Sequence, residues 1–148
     1  MSIATRTAGR RRAEARTGRW ALLAICLGYF MTILDTTVVN VALPDMQRRL
    51  GADIVDLQWI VDGYALAFAS LLLTAGALGD RLGNKRVFVG GVTLFTLASA
   101  GCGLAPDLTA LQVMRIVQGA GAALAVPASL ALLRHVSADP SERARAFG

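Results

Sequence analysis

Charge is scarce in this chain. Of its 148 residues, 17% are Asp, Glu, Lys or Arg and 55% are hydrophobic, whereas a soluble domain ordinarily carries about 25% charged residues. Histidine occurs once and cysteine twice. Cys26 and Cys102 both fall inside apolar runs, without CxxC or metal-ligand spacing, and read as packing residues that define no redox compartment. Aromatic residues make up 6% of the chain and do not interleave with the arginines, so the net charge of +5 is not the footprint of a nucleic-acid binder. There is no phosphate loop and no nucleophile elbow, and the residues predict no enzyme, no metal and no cofactor.

What the chain has instead is long apolar runs, and its mean hydropathy is +0.54. A bilayer core of about 30 Å needs about 20 mostly apolar residues per helix. Four segments meet that length: 20–44, 57–78, 87–105 and 108–133. The predicted fold class is all-α integral membrane.

The basic residues sit at the ends of these runs. Six lie in the tail 1–19, three in the second connection and three after the fourth span, against two in the first connection and none in the third. By the positive-inside rule, both ends are expected in the cytoplasm and the protein in the cell membrane as a multi-pass chain. An N-terminal secretory signal is disfavoured, because the first run is long and contains Asp35 and Asn40. The arginine tail is expected to fix topology and to touch anionic lipid.

Three ionisable residues lie within the predicted spans: Asp35, Asp62 and Arg115. Such groups are costly in hydrocarbon and are functional candidates by default. At about 1.5 Å per residue, Asp35 lies about 22 Å from the start of its span, and Asp62 and Arg115 about 7 and 10 Å from the starts of theirs. All three then share the outer half of the bilayer, where Arg115 is able to pair with one of the aspartates. Helical spacing gathers Gln112, Gln118, Gly119, Ala122 and Ser129 around Arg115 as one polar and small stripe. Two carboxylates against one guanidinium leave one formal negative charge, a site that can take either a proton or an organic cation. Exchange of one for the other is the chemistry of proton antiport. Spans three and four are also rich in Gly, Ala and Ser, which allow close helix packing.

Between spans two and three stands GALGDRLGNKR, residues 76–86. Asp80 follows the end of a helix, where the dipole disfavours an acid, so a partner is expected among Arg81, Lys85 and Arg86 or at the positive end of another helix. Gly83 and Asn84 tolerate the left-handed backbone of a tight reversal. Gly76, Leu78, Asp80, Arg81, Gly83, Lys85 and Arg86 resemble the helix 2–3 signature of the major facilitator superfamily, with Asn84 where a basic residue is common. LDTTVVNVALP, residues 34–44, resembles the helix-one motif of the fourteen-helix drug:proton antiporters of the EmrB/QacA type. RIVQGAG, residues 115–121, resembles their helix-four motif.

The resemblance implies four helices opening a transporter's N-terminal bundle, with a small-molecule substrate, protons and the lipid bilayer as partners. It makes 79–86 a cytoplasmic gate in which Asp80 engages the other half of the transporter. It places Asp35 and Arg115 on two cavity-lining helices, and gives Gly119, Gly121 and Pro44 packing roles. Residues 134–148 are expected to lead into a fifth helix, with the remainder of the transporter missing and this length inactive alone. Three alternatives stay open: a sugar or metabolite transporter of the same superfamily, a small exporter working as a dimer, and a non-transporting membrane module. The acidic excess favours cationic amphiphiles as substrate.

Overall fold

The computed structural model describes residues 3–136, with side chains from Leu22 to Leu133 apart from Ala24 and Leu50. The expected lead-in to a fifth helix lies almost wholly outside the described residues, as do the side chains of the basic tail. Four helices follow one another: α1 Ile3–Leu50, α2 Ile54–Leu82, α3 Asn84–Gly103 and α4 Leu108–Val136. Each contains a stretch long and apolar enough to cross a membrane.

The first two connections are shorter than the sequence suggests, and the third, 104–107, is two residues longer. α1 begins at Ile3 and runs through Pro44 to Leu50, so tail and first span form one helix. The proline removes one backbone donor, a loss that membrane helices tolerate when their other backbone groups stay paired. Gly51, with φ 63°, then turns the chain. Asp53 caps α2 reciprocally with Asp56: the Asp53 carboxylate accepts from the Asp56 N–H at 2.8 Å, and the Asp56 carboxylate accepts from the Asp53 N–H at 3.1 Å. This cap starts α2 three residues before the expected 57. Asp107 caps α4 by accepting from the Ala110 N–H at 2.8 Å.

The expected loop 79–86 is helical except at one residue. α2 continues to Leu82 and α3 starts at Asn84, leaving only Gly83 between them at φ 92°. Gly83 donates its N–H to the Gly79 carbonyl at 3.0 Å. A side chain on Gly79 would collide with the Asn84 side chain, which lies over it. Asn84 itself does not take a positive φ.

α4 is the hub. It packs closely along α2 and α3 and more sparsely on α1, whereas α1 has few contacts with α2. Half of its apolar span is buried, against 22–28% for the other three. Three clusters stack along the bundle. Ile25, Val87, Phe88 and Ala128 fill the end near Gly83; Tyr64, Phe95 and Ala122 fill the middle; Val39, Ile60 and Leu111 fill the end near Gly51. Leucines and valines facing outward, such as Leu27, Val41, Leu73 and Leu97, suit a lipid or protein surround better than water.

α3 and α4 meet through glycine. A Cβ on Gly121 would stand 2.6 Å from the Phe95 nitrogen, and one on Gly91 would stand 2.7 Å from the Ala125 nitrogen. On the α2 side, a Cβ on Gly119 would overlap the Tyr64 carbonyl. The backbones approach as closely as only glycine permits. Pro44, expected to pack, is instead exposed, and Leu43 and Met46 beside it make the contacts at that level.

Candidate functional site

The most buried polar side chains belong to α4: Arg115 is 2% exposed and Gln118 1%. Spaced three apart, they lie on one helix face. Both turn toward α1, where Asp35 meets them with its side chain 12% exposed. The three close a ring. Arg115 Nη1 donates to Asp35 Oδ2 at 2.6 Å and to Gln118 Oε1 at 2.8 Å, while Gln118 Nε2 donates to Asp35 Oδ1 at 2.6 Å.

Two further elements seat the guanidinium. Arg115 Nε donates to the Ile60 carbonyl of α2 at 3.1 Å. The Tyr64 ring, one turn further along α2, lies under the Arg115 Cζ at 4.4 Å from its centroid. Tyr64 stacks on Phe68 with centroids 6.3 Å apart and planes 3° apart. From α3, the Cys102 thiol donates to Gln118 Oε1 at 3.6 Å. Nearer the end of α4, Gln112 Nε2 donates to the Asp56 carbonyl at 3.3 Å. Among the described residues, no buried side-chain nitrogen or oxygen lacks a hydrogen-bond partner.

The four helices therefore converge on one polar centre in an apolar bundle. Besides Asp35, Arg115 has three partners: a backbone carbonyl, an amide oxygen and an aromatic face. The formal charges of Asp35 and Arg115 cancel.

Asp62 does not join this centre. It is half-buried and makes no ion pair or hydrogen bond among the described residues. The α2 face that meets Arg115 carries Ile60 and Tyr64, and positions two residues away point about 200° round the helix. The expected excess negative charge is accordingly absent from the ring.

At the turn, Asp80, Arg81, Lys85 and Arg86 are all exposed, and among the described residues Asp80 pairs with none of its three basic neighbours. Gly76 is partly buried, with open space where a side chain would go. The basic residues near the other end, Arg48 and Arg49, pair with Asp45 at 3.5 and 2.8 Å.

Residue spacing alone did not assign the Ile60 carbonyl, the Tyr64 ring or Cys102 to the site. A backbone carbonyl carries no sequence signal. Tyr64 carries one: it stands four residues after Ile60, hence on the same helix face.

Comparison with known proteins agrees with this architecture. A family model described as Major Facilitator Superfamily matches residues 25–148. The methylenomycin A resistance protein of Bacillus subtilis is 44% identical over 136 residues, which are 92% of this chain and 29% of that protein. The methylenomycin A resistance protein of Streptomyces coelicolor is 47% identical over 127 residues, 86% of this chain and 27% of the relative. The cephamycin export protein CmcT of Amycolatopsis lactamdurans is 42% identical over 137 residues, 93% of this chain and 28% of the relative. The chain thus spans less than a third of the length of these curated relatives. Four helices able to cross a membrane, and a family match over most of their length, establish that the chain belongs to the major facilitator superfamily.

Proposed function

We propose that these residues form the first four membrane spans of a proton-coupled drug exporter of the EmrB/QacA-type branch, set in the cell membrane with the N-terminus in the cytoplasm. In this reading the protein moves small molecules and catalyses no covalent reaction. Asp35 is the proton acceptor. Arg115 is its counter-ion, and Gln118 holds the carboxylate by one oxygen while the guanidinium holds the other. Gly76, Asp80, Arg81, Gly83, Lys85 and Arg86 serve as the gate on the cytoplasmic side, where Asp80 engages the other half of the transporter.

The observation that carries the reading is the closed ring of Asp35, Arg115 and Gln118. A buried ion pair is weak evidence of stability, since two apolar residues of similar volume often serve as well. A buried pair whose cation has three other partners suits repeated protonation instead. Because its formal charges cancel, no charge preference is assigned to the substrate.

The test fuses the whole chain to the part of the Bacillus subtilis methylenomycin A resistance protein beyond the matched region. Resistance in cells and drug-dependent proton flux in inverted vesicles are then measured. Asp35→Asn is expected to abolish both at unchanged protein level, and Asp35→Glu to retain part of each. Proton-coupled export that survives Asp35→Asn would sink the assignment.

A further inference from the structure

The polar ring draws on α1, α2 and α4, and a single weak donor brings in α3. Cys102, half-buried on that helix, gives its thiol to Gln118 Oε1 at 3.6 Å. Its direction sets it apart. The hydroxyls of Thr32, Thr74, Thr93, Thr96 and Ser129 all donate to carbonyls of their own helices, three or four residues back. A thiol is a weaker donor than a hydroxyl, competes less for its own helix carbonyl, and here reaches a neighbouring helix instead.

The consequence lies in the Gln118 amide. Its oxygen has two lone pairs, and donors from two helices meet them: Arg115 Nη1 of α4 at 2.8 Å and the Cys102 thiol of α3. One donor alone leaves a point about which the amide can swing. A second, arriving from another direction, fixes its plane and so aims Nε2 at Asp35 Oδ1, 2.6 Å away. Turned over, the amide would set its N–H groups against the guanidinium and its oxygen against the carboxylate, donor against donor and acceptor against acceptor. Around Cys102 the packing is apolar, from Val39, Ile60 and Leu111. Those side chains offer the thiol no competing acceptor.

We propose that Cys102 is a positioning residue for the Asp35 site: by holding Gln118 Oε1 it keeps the amide N–H on Asp35 and ties α3 to the ring. The functional half of this rests on the reading of Asp35 as the proton acceptor, and the geometric half does not. Cys102 acts through Gln118, so its loss should loosen the amide and leave the ion pair of Arg115 and Asp35 in place.

The test labels the glutamines of the whole chain with nitrogen-15 in dodecylmaltoside micelles and follows their side-chain amides by NMR. The chain has four glutamines, Gln47, Gln58, Gln112 and Gln118, and the signals of Gln118 are those lost in Gln118→Met. Cys102→Val keeps an apolar side chain of similar size and removes the donor, with Cys102→Ala as the second variant if the branched side chain disturbs α3. In either, the Gln118 amide protons should exchange with water about twofold to tenfold faster, the range that one hydrogen bond supplies, and the proton facing Asp35 should move upfield. The Gln112 amide, bonded to the Asp56 carbonyl, should stay unchanged and report an intact fold. In the fused transporter, the same variant should lower drug-dependent proton flux about twofold to fivefold at unchanged protein level. Gln118 signals that do not respond, or respond no more than those of Gln112, overturn the proposal, as does a response without any loss of flux. The NMR measurement needs neither drug nor proton gradient, so its failure and that of the export reading are told apart.

Discussion

α4 is joined to its neighbours in two different ways. Toward α1 and α2 it offers Arg115 and Gln118, and the junction is a set of short, charge-assisted hydrogen bonds around one guanidinium. Toward α3 it offers Gly121 and Ala125, and the junction is backbone against backbone with Gly91 and Phe95. The first contact joins two formal charges. The second depends on the absence of side chains and contains no ion pair among the described residues. α4 is thus held by directional polar bonds on one flank and by close backbone packing on the other.

The largest effect should come from breaking the polar junction on one side only. Asp35→Ala strands a buried guanidinium and is expected to destabilise the bundle by about 3–5 kcal/mol, while Asp35→Leu combined with Arg115→Met should recover most of that loss. Urea unfolding in dodecylmaltoside, followed by circular dichroism, reads both. A double variant as unstable as the single one would mean that the pair contributes chiefly through packing.

The glycine seam breaks in the opposite way, by addition. Gly121→Val forces a Cβ against the Phe95 nitrogen and should cost about 1–3 kcal/mol, as overpacking usually does. Gly90 is the contrast: it is exposed with nothing within 4 Å of a would-be Cβ, so Gly90→Ala should stabilise α3 by about 0.5–1 kcal/mol. The same unfolding measurement decides, and equal signs for the two would undo the distinction between seam and surface.

The smallest effect sharpens the account of the guanidinium. Tyr64→Phe keeps an aromatic face under Arg115 and should leave stability nearly unchanged, whereas Tyr64→Leu should lose about 0.5–2 kcal/mol of cation–π attraction. A loss on Tyr64→Phe equal to that on Tyr64→Leu would show that the hydroxyl, and not the ring, matters.

Much of this comparison could be read before any coordinates. Apolar run length located the helices, because backbone groups in hydrocarbon must satisfy one another. Depth counting put Asp35 and Arg115 at one level, and depth is linear in residue number. Azimuth between helices is not, since it depends on which faces pack. That is why Asp62 was grouped with Arg115 although α2 turns Ile60 and Tyr64 there instead. Helix ends were also misjudged where capping outweighed polarity: Asp53 extends α2 backward, and Gly83 alone makes a turn that the charged run had suggested was eight residues long. Pro44 misled in the same way, since a proline near the end of an apolar run reads as a stop but is carried within α1.

The partners in the polar ring are 80 residues apart in the chain, and that spacing bears on how the protein is made. At about 5–20 residues per second of synthesis, the ribosome adds Arg115 about 4–16 s after Asp35. α1 is therefore complete well before its counter-ion exists. Until α4 is made, Asp35 lacks the two side chains, Arg115 and Gln118, that hold both its oxygens in the finished bundle. The helix that makes most of the contacts in the bundle is the last of the four to be made.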